Sequence, residues 1–259
     1  MVDLASILAA GGLSLPDAPD AVLRVDIAGA DPVLPTAFPV GEAAAAALVG
    51  GGVAAARLHR LRGGAAQSIG VDVAGAAASL LGFLFQTREG GDGPLQLDRV
   101  SPAVTNFFQC GDGRWVHLHG GFPHLNQGTL DLLGCTGERE AIAAAVARWT
   151  AADLEDELAA RRLCGAMLRT PEEWAAHPQG QAVGALAAVE IERIGDAPPQ
   201  GLPPGDRPLD RVRVLDLTRV LAGPTSGRTL ASYGADVLRV ASPHLPSVQP
   251  FVIETGHGK

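Results

Sequence analysis

Hydrophobic and polar residues alternate in several short segments of the chain, and this two-residue period predicts strands. The alternation is present in Ala21–Ala28 and in Ser68–Val73. It returns in Thr105–Gln109 and Arg114–His119, which are separated by the turn-forming residues 111–113. The sequence of that turn, Gly-Asp-Gly, favours a tight connection between antiparallel strands, so the two segments are predicted to form a hairpin.

Apolar residues at helical spacing lie between the predicted strands. The longest helix is predicted over Val40–Leu61, an alanine-rich segment that is followed by the helix-stopping glycines Gly63 and Gly64. Thr170 is a suitable N-cap, because Pro171 follows it at the first helical position and two glutamates occupy the first turn. Further helices are predicted over 74–86, 122–133, 138–148, 151–161 and 225–233.

The pattern changes after a proline-rich segment. Asp196–Pro208 contains five prolines and is predicted to be a linker between domains. Beyond it, Arg211–Leu217 and Ala235–Val240 alternate as strands on either side of the predicted helix 225–233. A strand, a helix and a strand within about 30 residues are typical of the parallel unit of a Rossmann-like sheet. Parallel sheets are covered on both faces, so we expect further strands to complete this one.

Composition and charge exclude several classes of protein. Of the 259 residues 47% are hydrophobic and 19% are charged, which is typical of a globular chain with a buried core. The net charge of −8 and the lack of a basic stripe argue against a nucleic-acid partner and against anionic membrane surfaces. No apolar run in the sequence approaches the length of a membrane-spanning helix. Three widely spaced cysteines and the lack of a secretory signal pattern predict a reduced, cytoplasmic protein.

Thr218–Gly227 (TRVLAGPTSG) is the candidate ligand site, because it follows a predicted strand and opens a helix. Backbone N–H groups at the start of a helix favour phosphate, Gly223 permits close approach of a ligand, and Pro224 fits the first helical turn. The segment has neither the dinucleotide fingerprint nor the P-loop motif, so the pattern leaves open a phosphate-bearing ligand or a plain tight turn. Arg239, at the end of the second strand, could bind a phosphate or an adenine, or could be a solvated charge.

Two other groups of polar residues have structural explanations. Asp216 lies within a strand, and we expect a buried carboxylate that accepts hydrogen bonds from the following loop. His117 and His119 share one face of a strand and His124 follows, so three imidazoles could hold zinc. Their spacing lacks the glutamate of the cupin metal motif, and partly exposed strand histidines are the simpler explanation. We therefore predict no metal site.

The segment Pro208–Val240 carries a family resemblance. Its VLD strand, its V-x-AGP turn and its GADV step from helix to strand are similar to the opening of the class III CoA-transferases, the CaiB/BaiF family, which includes formyl-CoA transferases and 2-methylacyl-CoA racemases. Gly256–Lys259 resembles the start of the family's N-x-x-KRS segment, cut at the lysine. Asp210 and Arg211 in place of a glycine, and Ala241 in place of a glutamate, depart from the family pattern.

Earlier segments resemble later parts of the same family. Ala43–Leu81, Cys110–Leu118 and Leu154–Pro178 are similar to segments that follow the family's nucleophile, yet here they precede the family's opening. A fused double-copy protein explains this order: a first copy without its head, and a second copy of which only the head is present, truncated at its C-terminus. The resemblance implies a helical and strand segment similar to the post-nucleophile part over 1–100, a small α/β domain over 101–195, the linker 196–208, and the start of a CoA-binding Rossmann-like domain over 209–259.

The resemblance also implies a chemistry. In the family, an aspartate carboxylate attacks an acyl-CoA thioester and releases the CoA thiolate. No residue of this chain matches that nucleophile, so no catalytic residue is assigned and the chain alone is expected to be inactive. The expected partners are an acyl-CoA and a carboxylic acid acceptor, with CoA a substrate and no cofactor tightly bound. The residues expected to bind CoA are Arg219, Val220, Leu221, Ala222, Gly223, Pro224, Arg239 and Lys259.

Three alternatives to a CoA-transferase component follow from the same residues. A racemase would use the same fold with a base acting beside the thioester carbonyl. A non-catalytic subunit would complete a homodimer, or a hetero-oligomer with a related chain, because dimers of the family are interlocked. An NAD-dependent Rossmann enzyme is disfavoured by the missing fingerprint and by Ala241 and Ser242, which stand where an NAD-binding acid is expected.

Overall fold

The computed structural model describes residues 20–87, 103–186, 192–198 and 200–259 of the chain. These residues form two units, one drawn from Met1–Leu95 and Leu186–Lys259 and the other from Gln96–Ala185. Both units mix helices with strands, which confirms the predicted α/β fold class. In chain order, the elements of the described residues are β1 (Val22–Ala28), α1 (Val40–Leu61), β2 (Gln67–Asp72), α2 (Val73–Ser79), a 3-10 turn (Gly82–Leu84), β3 (Asn106–Gln109), β4 (Trp115–Leu118), α3 (Pro123–Leu133), α4 (Arg139–Val146), α5 (Ala151–Ala160), β5 (Gly165–Met167), α6 (Pro171–Ala176), α7 (Pro178–Gly184), β6 (Arg213–Asp216), α8 (Ala222–Ser232), β7 (Asp236–Arg239) and α9 (Gln249–Gly256).

In the first unit, β1 and β2 form a parallel pair that is connected through α1. The start of α1 is held by Asp31, whose carboxylate accepts hydrogen bonds from the backbone N–H groups of Gly41 (3.2 Å) and Glu42 (2.7 Å). Strand β2 ends at Asp72, because the Asp72 side chain accepts a hydrogen bond from Gly75 N–H at 2.7 Å and caps α2. The helix predicted over 74–86 is therefore shorter, and a separate 3-10 turn follows it.

A second parallel pair, β6 and β7, lies in the same unit, with Val214 opposite Val237 and helix α8 between the strands in sequence. This arrangement confirms the predicted strand–helix–strand unit. Helix α8 begins at Ala222 instead of Thr225, so Gly223 and Pro224 belong to its first turn. Its buried side packs against the sheet in a small core formed by Leu209, Ala231, Ala235 and Val237.

A buried arginine joins these two halves of the first unit. The guanidinium of Arg62, at the end of α1, donates hydrogen bonds to the carbonyls of Pro208 (2.8 Å), Asp210 (2.7 Å) and Pro203. Its position fixes the end of the proline-rich segment against α1. On the same unit, α9 packs on the 3-10 turn, with the rings of Phe83 and Phe251 edge to face at 4.8 Å between centroids.

The second unit is built on an antiparallel sheet in the order β3-β4-β5. Strands β3 and β4 form the predicted hairpin, with Phe108 opposite Val116, and the unpredicted β5 pairs with the other edge of β4. Helices α3, α4 and α5 supply the remaining apolar side chains. The resulting core contains Val104, Phe108, Cys110, Val116, Leu118, Leu133, Ile142, Ala145, Val146, Ala151, Leu154 and Leu158.

Candidate functional site

The candidate site lies where β6 ends and α8 begins. Residues 217–221, here called the bend, connect the two elements at the carboxyl end of the parallel pair. Open parallel sheets bind ligands outside the carboxyl ends of their strands, so the position suits a ligand. Within the bend, Val220 has φ +69°, a left-handed conformation that is rare for a β-branched residue and is found where surrounding contacts hold a strained backbone.

The first turn of α8 presents few but well-placed donors. The first N–H groups of a helix have no acceptor within the helix, so those of Ala222 and Gly223 are available to a ligand. Pro224 has no N–H group, and Thr225 N–H donates to Leu221 O at 2.8 Å. Position 223 requires glycine, because a Cβ atom there would lie 2.4 Å from Cβ of Thr218.

Asp216, the last residue of β6, holds the beginning of the bend by hydrogen bonds. It is 4% exposed, and its Oδ1 accepts hydrogen bonds from the backbone N–H (2.9 Å) and hydroxyl (2.5 Å) of Thr218. This confirms the expectation of a buried carboxylate that binds the following loop. Burial alone would raise the pKa of Asp216, but hydrogen bonds from Lys259 and Thr218 outweigh it and lower the pKa to about 2. The carboxylate is therefore ionised at neutral pH.

Lys259, the only lysine in the sequence, is the partner of that carboxylate. Its Nζ lies 2.7 Å from Asp216 Oδ2 and 2.7 Å from the carbonyl oxygen of Pro224, and its side chain is only 3% exposed. The helix passes close to this ion pair at Gly227, where a Cβ atom would lie 2.7 Å from Asp216 Oδ2. No motif in the sequence indicates that these residues meet.

Two arginines lie in or next to the bend. Arg219 is exposed within the bend, and one of its terminal nitrogens donates to the carbonyl of Pro246 at 2.8 Å. Arg239 ends β7 directly opposite Asp216. Its Nε is buried and has no hydrogen-bond partner among the described residues. An acceptor for this donor has to come from water or from a ligand outside the carboxyl ends of the strands.

The structure thus groups most of the residues predicted to bind CoA. Residues 219–224 form the bend and the first turn of α8, and Arg239 is adjacent in the sheet. Lys259 lies beneath the bend, with its ammonium turned to Asp216 and Pro224. Sequence reasoning missed the strained backbone of Val220 and the ion pair between Arg228 and Glu254, which joins α8 to α9. Neither has a local sequence signal, because both depend on residues that are brought together only by folding.

Within the described residues, no three His, Cys, Asp or Glu side chains are grouped as a metal site. The imidazoles of His117 and His119 are 6.4 Å apart between ring centroids, and His117 packs against Phe107. Among the same residues, no helix combines the length and the apolar character that are needed to cross a bilayer.

Comparison with known proteins adds the family context. Residues 25–205 and 209–251 match the profile of CoA-transferase family III. The acetyl-coenzyme A transferase nodX of Hypoxylon pulicicidum is 29% identical over 201 residues, which cover 70% of this chain and 33% of that protein. The succinate–glutarate CoA-transferase of Agrobacterium fabrum is 56% identical over 36 residues, or 14% of this chain and 9% of that protein. The chain spans about a third of the length of the first curated relatives that it matches.

A solved structure also shows similarity to this chain. It is the crystal structure of a hypothetical protein, Rv3272, from Mycobacterium tuberculosis, with a TM-score of 0.44 and 18% sequence identity. The similarity covers 76% of this chain and 56% of that one.

Proposed function

Because the chain belongs to CoA-transferase family III, we propose that it binds CoA thioesters at the bend and takes part in moving CoA from an acyl-CoA to a carboxylic acid. The observation that carries the proposal is the pairing of two features at one sheet edge. The start of α8 offers unpaired backbone donors, and Arg239 offers a buried donor without an acceptor. A CoA pyrophosphate carries negative charge and several acceptor oxygens, so it satisfies both.

Seven of the eight residues predicted to bind CoA then have a role. The N–H groups of Ala222 and Gly223 bind pyrophosphate oxygens, while Arg219 and Arg239 neutralise phosphate charge. Val220 and Leu221 offer partly exposed apolar side chains to the adenine or the pantetheine arm. Pro224 keeps the first turn helical without adding a donor that would need an acceptor. CoA is a substrate in this account, and no tightly bound cofactor is required.

The transfer reaction itself needs a nucleophile from outside this chain. In the proposed reaction a carboxylate oxygen bonds to the thioester carbonyl carbon, the C–S bond breaks, and CoA leaves as its thiolate with a mixed anhydride left behind. No residue of the chain resembles the aspartate that does this in the family, so we infer that the chain alone does not complete the transfer. The racemase alternative would need a base that is also not assigned here.

We further propose a double-copy origin for the chain, with its first copy over 1–195 and the head of a second copy over 209–259. The family profile is interrupted only between residues 205 and 209, where the proline-rich linker ends. The reduced cysteines, of which Cys110 is buried, support a cytoplasmic location for such a protein.

We propose a homodimer, or a hetero-oligomer with a related chain, as the working assembly. The outer face of the β6–β7 pair supports this, because Leu215 and Leu238 are 61% and 64% exposed on a parallel sheet. Sedimentation of wild type and of Leu238→Glu tests the assembly. We expect association in the wild type and its loss in the variant. A wild type that remains monomeric at high concentration would refute the homodimer and favour the hetero-oligomer.

Calorimetric titration of the chain with CoA, and separately with NAD, tests the binding function. We expect CoA to bind and NAD not to bind. Arg239→Met should weaken CoA binding, while Arg161→Met, which removes an exposed arginine of the second unit, should leave it unchanged. Binding of NAD, or of neither ligand, would contradict the proposed function.

A further inference from the structure

We propose that Lys259 acts on the CoA site as a positioning residue and is not a ligand of its phosphates. Together with Asp216 it fixes the bend and the first turn of α8 in the shape that receives the ligand. This inference rests on the proposed CoA site, and it changes the role that the family resemblance implies for the lysine.

The surroundings of the ammonium group argue against direct contact with CoA. Two of its three donors are used, one by Asp216 Oδ2 and one by the Pro224 carbonyl, both at 2.7 Å. The side chain is 3% exposed and that of Asp216 is 2% exposed. To reach a phosphate outside the bend, the lysine would have to leave a buried carboxylate without its counter-charge, which is strongly unfavourable.

The same ion pair reaches both ends of the bend. Asp216 Oδ1 holds the backbone N–H and hydroxyl of Thr218, at the beginning of the bend. Lys259 holds the carbonyl of Pro224, in the first turn of α8 just beyond the bend. Between these two attachments lies Val220 with its left-handed backbone, a conformation that persists only where the neighbouring structure fixes it.

The packing of α8 against the pair supports this role independently. At Gly227 a Cβ atom would lie 2.7 Å from Asp216 Oδ2 and 3.0 Å from Lys259 Nζ. The helix therefore approaches the ion pair more closely than any other residue type would permit. The first half of α8 therefore packs directly on the carboxylate and the ammonium.

Two variants, one that leaves the Asp216 charge unpaired and one that removes both charges, separate a positioning role of Lys259 from direct binding of phosphate. Calorimetry measures CoA binding to wild type, Lys259→Met and the double variant Asp216→Asn/Lys259→Met. We expect the single variant to bind CoA about tenfold more weakly, because it leaves the Asp216 charge buried and unpaired. The double variant has no uncompensated charge and should recover part of that loss, while the part that comes from the missing bond to the Pro224 carbonyl remains. If Lys259 is a phosphate ligand, the double variant will bind as weakly as the single one.

Salt dependence provides a second readout. A lysine that touches phosphate contributes a screened attraction, so its removal would flatten the dependence of CoA affinity on ionic strength. We expect Lys259→Met to keep the wild-type dependence and Arg239→Met to flatten it. A flattened dependence in Lys259→Met would overturn the inference.

Hydrogen exchange without ligand keeps this inference separate from the CoA proposal. We expect Lys259→Met to speed amide exchange at Thr218 and Thr225 by about tenfold or more, and Arg161→Met to change neither. The double variant should recover slow exchange at Thr218 and not at Thr225, because Pro224 has lost its bond to Lys259 in both variants. A wild type that fails to bind CoA would refute the proposed function, and the exchange rates would still decide whether the ion pair holds the bend. Unchanged exchange at both amides would refute the positioning role.

Discussion

Two of the three sheets formed by the described residues differ in how completely they are buried. The antiparallel sheet of the second unit packs one face on three helices, and its core residues Leu118, Ile142, Leu154 and Leu158 are fully enclosed. The parallel pair β6–β7 of the first unit packs one face on α8 and leaves Leu215 and Leu238 largely exposed on the other. An antiparallel sheet can face water on one side, whereas parallel sheets are normally covered on both.

This difference separates a unit with a closed core from a unit that carries the candidate site on a partly open sheet. The second unit contains within itself the apolar area that stabilises it. The first unit carries the candidate CoA site on a sheet whose outer face is available to further strands or to a related chain. Substitutions on the closed antiparallel sheet and on the open parallel pair should therefore have different consequences.

The largest expected effect contrasts two leucines. Leu158→Ala should lower the free energy of unfolding of the second unit by about 3 to 4 kcal/mol, because it opens a cavity in a closed core. Leu238→Ala, the matched change on the open face, should cost less than about 0.5 kcal/mol when the chain is dissociated. All three tryptophans lie in the second unit, so their fluorescence during urea unfolding follows that unit alone, and circular dichroism follows the whole chain. Equal losses for both variants would contradict the contrast between the two sheets.

Arg62→Met should have the next largest effect, on the first unit. It would leave three backbone carbonyls without their charged donor, and we expect a loss of about 2 to 3 kcal/mol. Arg60→Met is the control, because Arg60 is exposed and its guanidinium makes a long hydrogen bond, of 3.3 Å, to Gly64 O. Urea unfolding monitored by circular dichroism compares them. If both variants unfold at the same urea concentration, the arginine does not join the two halves of the unit.

Acid should weaken the candidate site through Asp216. Its pKa is lowered to about 2 in the folded chain, so its contribution to stability is complete above its unfolded pKa of about 4. That contribution, on the order of 2 kcal/mol, is lost as the pH falls through about 2. Unfolding of the first unit measured between pH 5 and pH 2 should show this loss in wild type and not in Asp216→Asn/Lys259→Met. The same slope in both proteins would refute the assignment.

The smallest effect concerns a helix start in the second unit. Thr170 accepts a hydrogen bond from Glu173 N–H at 3.2 Å, and the Glu173 carboxylate accepts one from Thr170 N–H at 2.9 Å. Thr170→Ala should cost about 1 kcal/mol, whereas Thr170→Ser keeps the hydroxyl and should cost little. Trp174 lies in the helix that begins there, so its fluorescence follows the change directly. A serine variant as unstable as the alanine variant would show that the hydroxyl is not the cause.

Local sequence signals were enough to predict much of the fold. Helix α1 has the predicted bounds, because Pro39 precedes it and Gly63, with φ +88°, follows its end. The Gly-Asp-Gly turn predicted the β3–β4 hairpin, and the alternation around α8 predicted the parallel pair. Each of these depends on neighbours in sequence.

The interactions that the sequence did not reveal connect distant residues. Strand β5 is only three residues long and pairs with β4 because the fold brings them together. Arg62 meets Pro208, and Lys259 meets Asp216, across long stretches of chain. Patterns of spacing do not specify such contacts. The candidate site could therefore be located from the sequence, but the ion pair between Asp216 and Lys259 that supports it could not be predicted.

Hydrogen exchange with and without CoA is the decisive test of the CoA site, because it locates the ligand on the chain. We predict slower exchange on addition of CoA at the amides of Ala222 and Gly223, and no change in the hairpin of the second unit. Slower exchange confined to the second unit, or no change at those two amides under conditions where calorimetry shows binding, would contradict it.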